Sequence, residues 1–331
     1  MYPPTCGNDF IKNKLQPRRF LTIFATIFEK MGKRYTSRTV SGYLAGIAAG
    51  VSYGMNPLFA KTLLADGVDI LTMLFFRYGI SFLLMGAWMA FRGESFRIRG
   101  KEIWMLAILG VLFSCSSLFL FESYRFIPSG LATTLVYLYP VFVAIIMVIL
   151  KDRPSWEVWL SIAVTFGGVI LLSWPEGGVT LHWAGMMLSA MSALSYAFYL
   201  VIVNKSRTIS HISEHALTFY ALATGTVLFI LLRISGEHGP FLQGLDSLSD
   251  VGNLVGLAIF PTMISMLTLA ISTRLIGPTK TSVLGVFEPV TAILIGTVLF
   301  SEPMTPKMAA GLMVCICAVL FMVAAGKKDS R

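Results

Sequence analysis

The chain has 331 residues, 56% of them hydrophobic and 13% charged, with a formal net charge of +9 at pH 7. A soluble domain carries roughly 25% charged residues, so this composition excludes a soluble enzyme, a nucleic-acid-binding protein and a disordered chain. The charge is also uneven: residues 1–39 hold ten charged side chains, eight of them Lys or Arg, and 33 are spread over the other 292 positions. The four cysteines (Cys6, Cys115, Cys315 and Cys317) lie in or beside apolar runs, without zinc spacing or a disulfide framework.

The segment 1–39 comes first. Phe20, Ile23, Phe24, Ile27, Phe28 and Met31 fall on one face of a helix, and the flanking Lys and Arg suit an interfacial amphipathic helix on an anionic leaflet. It lacks the small-residue cleavage site of a secretory signal. A second reading is that the chain starts at Met31, since Met31-Gly32-Lys33-Arg34 suffices ahead of a first span.

About 20 mostly apolar residues cross the hydrocarbon core as a helix. Ten stretches qualify: 41–63, 70–91, 103–122, 129–150, 156–174, 183–203, 214–234, 251–272, 278–300 and 305–325. The connections are short, the longest near 235–250, so the spans form one membrane domain with a tail at 327–331. With the N-terminus inside, the inner segments collect 21 Lys and Arg and the outer ones four: Lys61, Arg125, Arg233 and Lys307. The positive-inside rule therefore predicts N-in and C-in. The six Trp (88, 104, 156, 159, 174 and 183) all fall near predicted helix ends, where an aromatic belt is expected.

The halves resemble each other. Gly42, Gly46, Gly50 and Gly54 recur every fourth residue in the first span, and a shift of 143 brings them onto Gly185, Ser189, Ala193 and Ala197. Ser52-Tyr53 then meets Ser195-Tyr196, and a shift of 149 brings Arg125 onto Arg274, Pro140 onto Pro289 and Pro154 onto Pro303. Small-residue rows let helix backbones approach closely in lipid. Five spans per half turn the second half upside down, so the chain is predicted to be an all-α polytopic membrane protein of ten transmembrane helices in two inverted five-helix repeats, 40–174 and 175–326. That architecture recurs in secondary transporters, with a substrate site at the midplane.

At these residues the chain resembles EamA-type proteins of the drug/metabolite transporter superfamily. The similarity runs through Ser52-Tyr53-Gly54-Met55-Asn56-Pro57-Leu58-Phe59-Ala60-Lys61, Arg77, Tyr124-Arg125-Phe126-Ile127-Pro128 and Tyr139-Pro140-Val141-Phe142 in the first half. In the second it runs through Glu288-Pro289-Val290 and Phe300-Ser301-Glu302-Pro303. The resemblance spans about 41–325 and implies ten helices around a central cavity. It also implies ATP-independent export, or less often uptake, of small metabolites. One departure stands out: the family's Gly-Glu ending of the fourth helix is here Lys151-Asp152-Arg153-Pro154.

Charged groups at bilayer depth are costly and face a partner or a cavity. Arg77 and Glu288 both fall near the midplane, and their repeat mates are Ala221 and Tyr139, so the charges break the pseudo-symmetry. Arg77 reads either as a fork for a substrate carboxylate or phosphate, or as a structural group paired with an acid or with freed backbone carbonyls. Glu288 reads either as a protonatable or cation-binding group, or as a structural partner beside the Pro289 kink. Pro57, Pro140, Pro261 and Pro289 interrupt spans, and such broken helices line cavities or merely bend. Tyr53, Asn56, Tyr137, Tyr139, Tyr196 and Tyr199 are the candidate lining groups, with ordinary packing as the other reading for the rings. Lys61, Arg274 and Lys280 are expected to snorkel, and Glu122 to pair with Arg125.

His211 and His215 lack the third ligand of a metal site, and no phosphate-binding loop for ATP is present. The sequence thus predicts no metal, no cofactor, no nucleic-acid partner and no ATPase subunit. It predicts a small-molecule substrate, a bilayer setting in a bacterial-type inner membrane, and transport. The competing classes are a non-transporting membrane subunit and a lipid-modifying membrane enzyme; the enzyme needs an acid, His or Ser cluster at one face, and the four His are scattered.

Overall fold

The computed structural model describes residues 37–127, 132, 135–173, 182–235, 247–299 and 305–325. The amphipathic face at Phe20–Met31, Pro128, Trp174, the Ser301-Glu302-Pro303 run and the tail at 327–331 lie outside the described residues.

Every element among the described residues is helical. The first half contains α1 (Ser37–Gly54), α2 (Asn56–Ala65), α3 (Ile70–Phe91), α4 (Gly100–Ser123), α5 (Tyr139–Ile149) and α6 (Trp156–Ser173). The second contains α7 (Trp183–Lys205), a short 3-10 turn (Arg207–Ile209), α8 (Glu214–Ser235) and α9 (Leu248–Ala258). A π-helical turn (Ile259–Ile264) follows, then α10 (Ser265–Ile276), α11 (Pro278–Leu284), α12 (Phe287–Leu299) and α13 (Pro306–Ala325). Seven continuous stretches are long and apolar enough to cross a membrane: α3, α4, α7, α8, α9 through α10, α11 through α12, and α13. The described parts of α5 and α6 are shorter apolar helices.

The helix starts follow local chemistry. The Asp69 carboxylate accepts from Leu71 N–H at 3.1 Å and Thr72 N–H at 3.3 Å, capping α3. Ser247 and Asp250 form a reciprocal capping box at α9. Pro57, Pro140 and Pro289 sit in the first turns of α2, α5 and α12, where a missing N–H costs little. The first and ninth spans are thus each broken into two helices, at Met55 and at Gly285-Val286.

The packing repeats with two-fold logic. Helix α1 packs along α10 while α7 packs along α4; α1 also meets α12 while α7 meets α5. The pairs α3–α8 and α6–α13 each join equivalent helices of the two halves. Hydrogen bonds follow the same operator: Ser265 Oγ donates to the Ala49 carbonyl at 3.1 Å, and the repeat mates of these residues, Ser116 and Ser192, pair at 3.1 Å.

The glycine row of α1 lies at this junction. A Cβ on Gly50 would stand 2.9 Å from Phe287 Cβ and 3.1 Å from the Leu284 carbonyl oxygen. On Gly54 it would stand 2.5 Å from the Glu288 carbonyl oxygen, and on Gly42 2.5 Å from the Ile276 side chain. On Gly46 it would overlap Leu284. Such approach brings backbone dipoles and dispersion contacts together where lipid removes the hydrophobic drive. One continuous apolar core runs through both halves. The five described Trp (Trp88, Trp104, Trp156, Trp159 and Trp183) are all exposed.

Candidate functional site

Three helix interruptions converge on one region: the break at Met55, the π turn around Pro261, and the break at Gly285-Val286. Proline 261 has no N–H, so the Leu257 carbonyl loses its intrahelical donor. Thr262 Oγ1 replaces it, donating to Leu257 O at 2.8 Å. Ser81 Oγ reaches across from α3 and donates to the Ala258 carbonyl at 2.8 Å. Bound in this way, the irregular backbone is satisfied at membrane depth.

Arg77, one turn before Ser81, completes the arrangement. Its Nε donates to Thr262 Oγ1 at 2.6 Å, Nη2 to the Pro261 carbonyl at 3.2 Å and Nη1 to Asn56 Oδ1 at 3.4 Å. The guanidinium lies 5.5 Å from the Tyr53 ring centroid, within cation–π range. The side chain is fully buried. Of the two sequence readings of Arg77, the geometry fits the one in which it holds freed backbone. At the equivalent junction in the other half no arginine is needed: Ala221 replaces it, and Gly110 of α4 lets the α8 backbone approach, with the Ala221 carbonyl 2.7 Å from where a Cβ would stand.

Glu288 behaves differently. It opens α12 just after the Gly285-Val286 break, so its carboxylate sits at the positive end of that helix. Its side chain keeps intermediate accessibility. No described residue gives its side chain a hydrogen bond or ion pair, so Arg77 and Glu288 do not pair. Tyr53 lies within electrostatic reach of both charges and keeps intermediate accessibility.

The other candidate tyrosines form a packed tier behind Glu288. Tyr137 and Tyr139 meet edge to face at 5.6 Å between ring centroids, Tyr139 and Tyr196 at 4.8 Å, and Tyr199 packs on Phe113 at 5.2 Å. All four tyrosines are buried. Tyr137 Oη donates to the Val283 carbonyl at 3.1 Å, and Tyr139 Oη presses on Gly285, so two of these rings brace the α11–α12 break. The structure therefore brings Tyr53, Asn56, Arg77, Tyr137, Tyr139, Tyr196 and Glu288 into one region. Within it, Tyr53, Asn56 and Glu288 are the partly accessible members. Thr262, Ser81 and Tyr78, whose hydroxyl bonds Ser117 Oγ at 2.8 Å, complete the polar framework. The sequence reading passed over them because lone hydroxyls in an apolar span carry no pattern.

Farther out, Arg125 pairs with Glu122 at 3.0 Å, as the i, i+3 spacing suggests. Arg274 departs from expectation. It does not snorkel but turns inward, donating to the Ile209 carbonyl at 2.9 Å and to the Ile212 carbonyl, with Glu214 at 3.3 Å. A guanidinium can donate to several carbonyls of this loop at once. His211 and His215 each pair with a separate acid, Glu102 and Glu94, both at 3.0 Å. Among the described residues no group of three potential metal ligands comes together.

A multi-pass helical bundle with two related halves and a polar interruption at its centre is the class of molecule these observations define. The chain belongs to the EamA-like transporter family, which it matches twice, over residues 40–174 and 183–324. It is 29% identical over 226 residues to an uncharacterized transporter of Archaeoglobus fulgidus, a match covering 65% of this chain and 75% of that protein. It is 28% identical over 201 residues to the uncharacterized inner membrane transporter YedA of Escherichia coli, spanning 61% of this chain and 63% of YedA. Protein PecM of Dickeya dadantii matches at 24% over 225 residues, covering 66% and 73%. A crystal structure superposes with a TM-score of 0.73 at 19% identity, covering 86% of this chain and 98% of that one, which speaks for the fold alone. The chain is a multi-pass membrane transporter of this family.

Proposed function

We propose that the chain is a secondary transporter that exports a small organic solute by alternating access, and that it performs no chemistry on that solute. In this reading ten spans form two inverted repeats with both termini inside, and the solute binds near the midplane where the broken helices meet. The observation that carries the reading is Glu288: a partly accessible carboxylate at a helix break, with no protein partner among the described residues. A group kept only for stability at this depth would be paired.

Tyr53 and Asn56 at the first-half break supply further contact groups, and Arg77 keeps the two irregular segments in register from behind. A cavity built on helix breaks suits alternating access, because short half-helices can tilt without unfolding a continuous span. The test is purified protein in liposomes, with preloaded candidate solutes and counterflow of the labelled solute. Flux of an unmodified solute supports the reading. Conversion of solute or lipid without flux overturns it in favour of an enzyme.

A further inference from the structure

The site contains two charges of opposite sign, and they are not equally available. Arg77 has each of its three guanidinium nitrogens engaged, with Thr262, the Pro261 carbonyl and Asn56, and its side chain is fully buried. A carboxylate or phosphate that bound there would strip the π turn of its donors and leave backbone oxygen unsatisfied in the membrane interior. Glu288 has no such engagement among the described residues, and it is partly accessible. Its neighbours within electrostatic reach are Tyr53, Tyr137, Tyr139 and Tyr196, whose rings are apolar surfaces with a negative π face.

We infer that the site recognises its solute through a protonated amine, with the Glu288 carboxylate as anchor and the Tyr53 ring as the adjoining wall. This deepens the transporter reading and rests on it. The carboxylate supplies a charge-assisted acceptor for N–H donors, and the ring stabilises the same cation electrostatically. Asn56, whose Oδ1 is held by Arg77 at 3.4 Å, turns its amide to any second polar group of the solute. The body of the solute is apolar or aromatic, because the tyrosine tier offers no further free charge.

The test compares three isosteres that differ in charge: phenethylamine, phenethyl alcohol and hydrocinnamate. Binding to the full chain in detergent is read by thermal stabilisation and by titration. The amine is expected to bind and the alcohol and carboxylate to bind about 10- to 100-fold more weakly, the ratio a charged hydrogen bond gives. Glu288→Gln removes that preference and Glu288→Asp keeps most of it. The wild-type ratio stands on its own if Glu288→Gln fails to fold. Equal binding of the three, tighter binding of hydrocinnamate, absence of amine binding, or an undiminished amine preference in a folded Glu288→Gln protein overturns the assignment. Counterflow separates the two claims: carriage of the alcohol or the carboxylate in place of the amine sinks the amine class and leaves transport standing. Amine binding without flux of any solute sinks transport instead.

Discussion

Replacing Arg77 by lysine separates a structural staple from a substrate fork. Arginine here makes three hydrogen bonds in three directions, to Thr262 Oγ1, the Pro261 carbonyl and Asn56 Oδ1. An ammonium is a compact donor that cannot span all three, so Arg77→Lys forfeits at least two. A hydrogen bond from a charged donor is worth about 1.5–3 kcal/mol net in soluble proteins, and interhelical bonds in membranes average nearer 0.6 kcal/mol. Two lost bonds therefore cost about 1–6 kcal/mol of stability. The assay is equilibrium unfolding in mixed micelles, with Thr262→Val as the second arm of a double-mutant cycle. Coupling between the two substitutions of more than about 0.5 kcal/mol is expected, since residues sharing a network are non-additive. Additive effects, or a change for Arg77→Lys within about 0.5 kcal/mol as at an ordinary surface site, would refute the staple and return Arg77 to the substrate.

Gly50→Leu should cost about 1–3 kcal/mol or prevent folding through overpacking, because a Cβ there already stands 2.9 Å from Phe287; full expression and unchanged unfolding would contradict the packing. Lys151 ends the fourth span with φ of 64°, a left-handed conformation in a non-glycine residue. Lys151→Gly should therefore stabilise by about 1 kcal/mol in the same unfolding assay, and any loss of stability would place the value of Lys151 in its side chain. Reporter fusions after residues 66 and 178 should read outside, and those after 98 and 206 inside. If 98 and 178 report the same side, the inverted arrangement fails.

The two-repeat pattern was legible because it rests on spacing. Glycines every fourth residue and prolines at a constant shift survive translation into α1 against α10 and α7 against α4. The gross location of the site was legible too, since Arg77 and Glu288 are charges in apolar runs. What the sequence left open was which charge the protein's own groups hold. Arg77 and Glu288 look alike in a linear reading, and the distinction depends on the Pro261 turn lying opposite Arg77, 184 residues away. The tyrosines were similarly ambiguous: Tyr53 stays partly accessible while Tyr139 and Tyr199 are buried, a difference of helix rotation that a helical period alone does not fix. Arg274 was misread as a snorkelling group because the carbonyls it binds belong to a loop distant in sequence. Lys151 shows the converse: the backbone keeps the conformation that suits glycine even where this sequence departs from the family's Gly-Glu ending.

The central claim is that Glu288 lines a cavity reached alternately from the two sides of the membrane. With Cys6, Cys115, Cys315 and Cys317 replaced by alanine, Glu288→Cys in sealed vesicles of known orientation can be challenged with a membrane-impermeant thiol reagent from each side in turn. The account predicts labelling from both sides, each blocked by prior reaction from the other, while a control cysteine at lipid-facing Leu83 stays unlabelled. Failure to label position 288 from either side, in a folded protein in which a control cysteine introduced into a loop does react, would contradict it.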